Sequence, residues 1–594
     1  MDPAWLPPLG IAVPLLGSCV LLAVARFAPR VVTDVIAIAT ALISTAAMAG
    51  LLVATTSNRV VTWAGGWTPT QNLTVGIVLQ ADQIGAGFAL LACVLTVCAL
   101  IYTWRYFEDA GAHVPVLILL FMAGMTGFSL TADLFNLFVF LELMGATAYA
   151  LTGHKIEEPR SVQGGFTFGV VTSLGAYFML AGIGILYART GRLGMPQIGS
   201  ALDGHGMDAL VLLAMVLVLT GLLVKAAIVP FHFWLADAHA VAPTPVCVLF
   251  SGVMAPLGIY GTMRVTTTVF GGVLPPSTLH HTLVLLGVVT AVLGAVLSLI
   301  QRHLKRMLAY STIAHLGLFL VGMATLTANG VAGSVVYVLG HAGVKGALFL
   351  LVGALLARKG NVDEISLYRQ GTNDGLTRWL FPLAALALAG LPPFGTGLGK
   401  AISEEATGSP WLIGTFVLVS AATGGAVLRA SLRIHFGLGP QPYEADRDTT
   451  SGDDEKPEGR FPHRTPATML TAILVLLTGG LLVGVLPVIS RIIGDGAQRF
   501  LDRQGFIEQT LYSYEPVRLA ELSHVEWNWA AVLLGLLSVL LAVAIALIGV
   551  FRGVPQWLDK PLHVVHRLHS GHVGDYVAWL VLGIAALAAL FSLS

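Results

Sequence analysis

GLLVKAAIVPFHFWLADAHAVAPTP, residues 221–245, decides how this chain is built. The apolar run leading into it starts near residue 208 and reads as a membrane helix, yet it carries Lys225. Pro230, five residues on, lacks a backbone donor and disfavours helical geometry at the residue before it. The helix is therefore expected to break near that point, freeing carbonyls for water or an ion. A second stretch repeats the pattern: in LAGLPPFGTGLGKAISEEA, residues 388–406, Lys400 follows Pro393 by seven residues. Interrupted hydrophobic segments in both halves of a chain point to the binding site of a transporter.

The rest of the sequence agrees with a membrane setting. Of 594 residues, 56% are hydrophobic and 11% charged, less than half the roughly 25% charge of soluble domains. Apolar runs of about 20 residues, enough to cross a hydrocarbon core of about 30 Å, recur from end to end. Formal net charge is zero, which implies no acidic or basic partner and gives no sign of nucleic-acid binding. Cys19, Cys93, Cys98 and Cys247 all lie in apolar runs without a CxxC or Cys/His cluster. No metal or cofactor is expected in this chain. The start, MDPAWLPPLG, carries an acid and no base, unlike a signal peptide.

Hydropathy gives about 16 spans, an all-α integral membrane fold. They lie near 7–26, 31–54, 84–104, 113–131, 133–153, 164–188, 208–229, 240–264, 280–300, 307–326, 331–357, 379–403, 409–432, 466–490, 528–551 and 574–594. With the N-terminus outside, inner loops collect 21 basic residues and outer loops 8, Arg264 among the outer and Lys305 among the inner. That bias places both termini outside. Three lysines belong to no loop: Lys225, Lys345 and Lys400. Residues 440–465 read as a flexible inner loop, and 491–526 as a polar outer segment with an amphipathic helix.

Ionisable groups in a bilayer suggest function, because each costs several kcal/mol unless paired or hydrated. Glu142, in LFNLFVFLELMGATAYAL (134–151), lies about nine residues, roughly 13 Å, from the outer end of its helix. Thr131-Ala-Asp133 precedes that helix as its cap. His341 and Lys345 in LGHAGVKGALFLLVG are four apart and share a helix face, as do Ser311 and His315 in LAYSTIAHLGLF. Histidine and desolvated lysine both exchange protons near neutral pH, so two such pairs make a stepping path. For Ser311 the alternative is a helix-packing hydrogen bond; for His315, His341 and Lys345 proton transfer is the expected role. His232 and His239 are seven apart near Asp237; anchoring and capping of the broken helix is the expected role, with a metal as the alternative. Glu404 stands one turn after Lys400 as a partner, or faces outer water with Glu405.

These residues resemble the antiporter-like family shared by Mrp sodium/proton antiporters, the large membrane subunits of complex I, and related membrane hydrogenases. The resemblance is strongest in KAAIVPFHFWLADAHAVAPTPVCVLFSG (225–252) and continues in LKRMLAYSTIAHLG, HAGVKGALFLLVG and GLPPFGTGLGK, spanning about 80–435. It implies a 14-helix core with two inverted five-helix repeats and two broken helices. Residues 113–265 and 280–436 would be the repeats, with 1–112 before them, a cytoplasmic loop at 437–465, and a C-terminal extension at 466–594. It also implies a glutamate–lysine pair in Glu142 and Lys225, a central relay of His315, His341 and Lys345, and a terminal lysine in Lys400. The partners it implies are other membrane subunits of an Mrp-type or complex I-like assembly, in a cell inner (plasma) membrane, with protons and sodium as cargo.

Two departures qualify the resemblance. FSGVMAPLGIYG (250–261) puts Pro256 where the family often has a lysine linking the two halves. Only about 22 residues separate Phe551 from Gly574, at most roughly 33 Å if helical. That is too short for the lateral arm of the largest complex I subunits, although LHSGHVGDYVAWLVLGIAALA resembles their last span. Three functions compete: an Mrp-type cation/proton antiporter subunit, the proton-pumping subunit of a redox-driven NADH–quinone oxidoreductase or hydrogenase complex, and a membrane scaffold with a degraded channel.

Overall fold

The computed structural model describes residues 3–69, 76–107, 111–441, 459, 461, 464–512, 526–552 and 572–593. Fourteen helices among them are long and apolar enough to cross a membrane. Two shorter apolar helices, α8 (Ala209–Lys225) and α15 (Thr377–Leu388), each run into a break and resume as α9 (Phe233–Val241) and α16 (Gly395–Thr407). These two broken helices and the fourteen long ones account for the sixteen expected spans.

Two successive groups of five spans share a plan. The first comprises α4 (His113–Leu130), α5 (Leu134–Thr152), α6 (Pro159–Thr190), the broken α8–α9, and a last span. That last span joins α10 (Thr244–Leu249), a π-turn (Phe250–Met254) and α11 (Ala255–Thr268). The second comprises α12 (Pro276–Ile300), α13 (Leu304–Ala324), α14 (Ala328–Lys359), the broken α15–α16, and α17 (Pro410–Phe436). In both groups the third helix has 32 residues and ends on a left-handed glycine, Gly191 or Gly360. In both the fourth is broken, and the third packs along it, α6 on α8 and α14 on α16. Five is odd, so chain direction reverses from one group to the next.

Local sequence sets these boundaries. Asp133 caps α5 by accepting from Asn136 N–H, as expected from the Thr131-Ala-Asp133 step, and Asp208 caps α8 through Val211 N–H. Burial is graded inward. The spans Thr244–Thr268 and α13 are buried throughout, and α14 nearly so. The outer helices α1 (Leu6–Val24) and α2 (Arg30–Thr55) expose most of their surface. Ser311, His315, His341 and Lys345 thus fall on the most enclosed helices.

One end of the bundle is closed by a small cap. Strand β1 (Val60–Trp63) pairs antiparallel with β2 (Val78–Ala81), just before α3 (Gln83–Tyr106). After α18 (Ala467–Val485), the helices α19 (Pro487–Leu501) and α20 (Arg503–Tyr512) lie against this hairpin, with Thr510 Oγ1 donating to Gln80 Oε1 at 2.6 Å. The expected helical segment is broken in two at Asp502, and of its parts α19 is the amphipathic one. Arg264, assigned to a loop from its position in the sequence, belongs instead to α11. It is 4% exposed, ion-paired with Asp82 and covered by the Phe500 ring at 4.1 Å. Most of 440–465 lies outside the described residues.

The last two helices part company. α21 (Trp529–Phe551) packs on α17 and α16, in the second group. α22 (Val573–Leu593) packs on α8, α6 and α12, against the first broken helix. There Tyr576 Oη donates to Asp237 at 2.7 Å and its ring stacks on Phe233 at 5.2 Å.

Candidate functional site

Lys225 is the last residue of α8 and is 1% exposed. Beyond it the backbone leaves the helix: Ala227 has φ +51°, and Val229 N–H donates to Thr290 Oγ1 of α12 at 3.0 Å. Trp234 of α9 ties the two halves together, its Nε1 donating to Val224 O at 2.9 Å. The break thus falls where the proline predicted it. Lys225 Nζ has no hydrogen-bond partner. It faces α5, where a Cβ placed on Gly145 would stand 3.1 Å from Lys225 Nζ and 3.9 Å from Glu142 Oε1. The ammonium and carboxylate are therefore at most about 7 Å apart, a range at which Coulomb interaction is sizeable. Ser173 of α6 hydrogen-bonds the Glu142 side chain. A groove of about 600 Å³ between α5 and α6, bordered by Tyr149, Phe166 and Tyr177, reaches Ser173.

The two central pairs interlock across α13 and α14. Lys345 Nζ donates to Leu308 O at 2.7 Å and to Ser311 Oγ. One turn along, the His315 and His341 rings face each other with centroids 5.0 Å apart. His315 Nδ1 bonds Tyr337 Oη at 2.9 Å, and its Nε2 bonds Thr423 Oγ1 of α17 at 3.1 Å. Tyr337 Oη reaches on to Ser420 Oγ at 3.2 Å. The side chains of Lys345, Ser311, His315, His341, Tyr337, Thr423 and Ser420 are all fully buried. Neither ring nitrogen of His341 has a partner. Leaving a buried polar group unsatisfied costs about 1–3 kcal/mol, a penalty that packing alone does not explain.

Lys400 lies five residues into α16 and is 1% exposed. Its stem lies over the break, where Gly390 takes φ +100° and a Cβ would come 3.3 Å from Lys400 Cδ. Glu404 is its partner: Oε1 is 2.8 Å from Lys400 Nζ, and both side chains are 1% exposed. Glu405 alone faces outward. Lys345 and Lys400 are the charges that act on His315, so the terminal pair and the central pairs form one electrostatic unit.

The structure adds one group and corrects one role. Lys305, counted in an inner loop, lies in the first turn of α13, fully buried, with Nζ donating to Ala242 O. His239 neither anchors at an interface nor caps a helix. It is fully buried, its ring stacked on Phe349 at 4.7 Å, and both its nitrogens lack partners. His232 is 2% exposed and precedes α9 without a side-chain cap. Among the described residues no group of three or more His, Cys, Asp or Glu could hold a metal ion. A basic residue beside an apolar run marked Lys305 in the sequence, but LKRML places it equally well in water.

Two broken helices, each carrying a buried lysine, with a third buried lysine and two buried histidines on the spans α13 and α14, are the features of an antiporter-like membrane subunit. The chain belongs to the family described as NADH:quinone oxidoreductase/Mrp antiporter, TM, whose profile matches residues 131–428. It is 31% identical over 432 residues to NADH-quinone oxidoreductase subunit N of Desulforudis audaxviator (strain MP104C), covering 71% of this chain and 84% of the relative. It is 29% identical over 464 residues to a Na(+)/H(+) antiporter subunit of Bacillus subtilis (strain 168), covering 75% and 87%. A chain in the Mrp complex from Dietzia sp. DQ12-45-1b superposes with a TM-score of 0.73 at 25% identity, covering 86% of this chain and 99% of that one.

Proposed function

We propose that this chain translocates protons as one membrane subunit of a larger complex, exchanging them for sodium, through Glu142, Lys225, Lys345, His341, His315 and Lys400. The observation that supports this reading is the burial, within the bundle, of Lys345, the paired His315 and His341, and the Lys400–Glu404 pair. Glu142 lies beside Ser173, which lines the open groove, and controls Lys225 from a distance. When ionised, it stabilises the neighbouring ammonium by about 2–3 kcal/mol at an effective dielectric near 20. Protonating Glu142 removes that support and releases the lysine's proton toward α13 and α14. The span groups 113–265 and 280–436 act as two half-channels, between residues 1–112 and the extension at 466–594. We place both termini outside an inner (plasma) membrane, as the distribution of lysine and arginine supports.

The test is ion-driven pH change in inverted vesicles carrying the intact complex, followed with a pH-sensitive dye after sodium addition. Lys225→Ala and Glu142→Ala should each abolish the signal while the complex still assembles; full activity in both would end this reading. The likeness to a membrane subunit of a quinone oxidoreductase favours a second energy source, a redox-driven pump. Isolating the complex and identifying its companions by mass spectrometry separates the two: iron–sulfur or hydrogenase-like companions would establish the redox pump.

A further inference from the structure

Between the Glu142–Lys225 pair and Lys345 there is no ionisable residue in the π-turn or at position 256, where Pro256 stands. The π-turn Phe250–Met254 nevertheless lies between the two lysine-bearing helices. Two residues past Pro256, a Cβ on Gly258 would lie 2.6 Å from Ala226 N, directly after Lys225. On the other side, Gly252 faces Ala342, next to His341, with a Cβ 3.6 Å from the Ala342 Cβ.

From this turn a hydroxyl path leads inward. Ser251 Oγ and Thr312 Oγ1 share a hydrogen bond of 2.6 Å, in which either can donate. Thr312 Oγ1 also donates to Leu308 O at 3.0 Å, Ser311 Oγ to the same oxygen at 2.9 Å, and Lys345 Nζ to it at 2.7 Å. Three side-chain donors converge on this one carbonyl, and each has a second partner: Thr312 in Ser251, and Lys345 and Ser311 in each other. Two hydrogen-bond lengths at most separate Thr312 Oγ1 from Lys345 Nζ. Ser251, Ser311, Thr312 and Lys345 are all fully buried.

We propose that the Ser251–Thr312 hydroxyl pair, with Ser311, carries the proton across the middle of this chain in place of a lysine at position 256. The proposal rests on the proton-translocating reading above and names its lateral step. Lys225 gives its proton to water at the π-turn, where Pro256 has no N–H to offer the carbonyls of Ser251 and Gly252. Ser251 Oγ accepts a proton from that water as it passes its own to Thr312 Oγ1. Thr312 Oγ1 then turns from Leu308 O toward Lys345 Nζ, and that nitrogen, as the free amine beside Ser311, takes up the Thr312 proton. Each oxygen gains one proton and loses one, so no hydroxyl changes charge. The exchangeable sharing of Leu308 O lets the hydroxyls turn back for the next proton.

The experiment uses the same vesicles with the intact complex, and Lys225→Ala as the reference for a dead relay. Ser251→Ala and Thr312→Val should each lower the initial rate of sodium-driven pH change at least tenfold with normal assembly. Ser251→Thr, which keeps the hydroxyl, should recover most of that rate. Adding Pro256→Lys to Ser251→Ala should restore transport by supplying an ammonium at the vacant step. If Ser251→Ala and Thr312→Val run at the parent rate while Lys225→Ala is dead, the relay stands and this crossing does not. A Ser251→Thr rate as low as that of Ser251→Ala would overturn it equally. Full transport in Lys225→Ala would instead remove the reading on which the crossing rests.

Discussion

His315 and His341 stand ring to ring at 5.0 Å, one from each of two adjoining helices, yet only His315 is hydrogen-bonded. His315 is held on both nitrogens by Tyr337 and Thr423, whereas neither nitrogen of His341 has a hydrogen-bond partner. A bonded and an unbonded imidazole side by side suit a proton hand-over, since the second can take up or give up a proton without breaking a hydrogen bond.

Tyr337→Phe removes only the hydroxyl that holds His315 Nδ1, together with its contact to Ser420 Oγ, and leaves the ring packing in place. One hydrogen bond is worth about 1 kcal/mol, so transport should fall roughly fivefold with assembly unchanged. His341→Ala should stop it. Unaltered rates in both variants, read by dye quenching in vesicles, would take the histidines out of the path.

Lys400 and Glu404 should behave as a unit. Glu404→Ala leaves a buried ammonium uncompensated, and Lys400→Ala leaves a carboxylate in the same position. The double variant should therefore be no slower than the worse single one, a coupling of about 1–3 kcal/mol in a double-mutant cycle. Strict additivity of the logarithms of the rates would show that the two act separately.

Away from the relay, the Asp82–Arg264 pair is a stability element. Both side chains are at most 5% exposed, and Phe500 covers the guanidinium. Removing one partner strands a charge at a penalty of about 3–5 kcal/mol. Asp82→Ala should lower the thermal unfolding midpoint of the detergent-solubilised complex by several degrees. Asp82→Ala combined with Arg264→Met should recover much of the loss. An unshifted midpoint for Asp82→Ala would contradict this.

Gly399 is where α16 comes closest to α14. A Cβ there would collide with the backbone of Tyr337, one turn from His341. Gly399→Ala should push the helices apart and displace Lys400, giving a complex that assembles poorly and transports little. Unchanged levels and rates would mean that the two helices tolerate a wider spacing.

Much of this was legible in the sequence because a bilayer permits few exceptions. Lys225, Lys345 and Lys400 stood out against apolar surroundings, and the prolines at 230 and 393 located both breaks. Helical spacing paired Ser311 with His315 and His341 with Lys345. It could not show that the contacts run across, with Lys345 Nζ donating to Ser311 Oγ and the His315 ring lying against that of His341. Contacts between helices leave no trace in periodicity along one helix. The same limit hid Lys305, whose neighbours along the chain are those of an ordinary loop lysine. Arg264 was misplaced because its partner, Asp82, is 182 residues away.

The course of the final helix bears on how such chains stand side by side. α22 lies along α8 and α6 and is fastened to Asp237 through Tyr576. That flank of the first broken helix is occupied by the chain's own last helix. A neighbouring protein would meet α22 there, and on the α5–α6 face it would meet the groove bordered by Tyr149, Phe166 and Tyr177. An array built from such chains would accordingly have a front and a back.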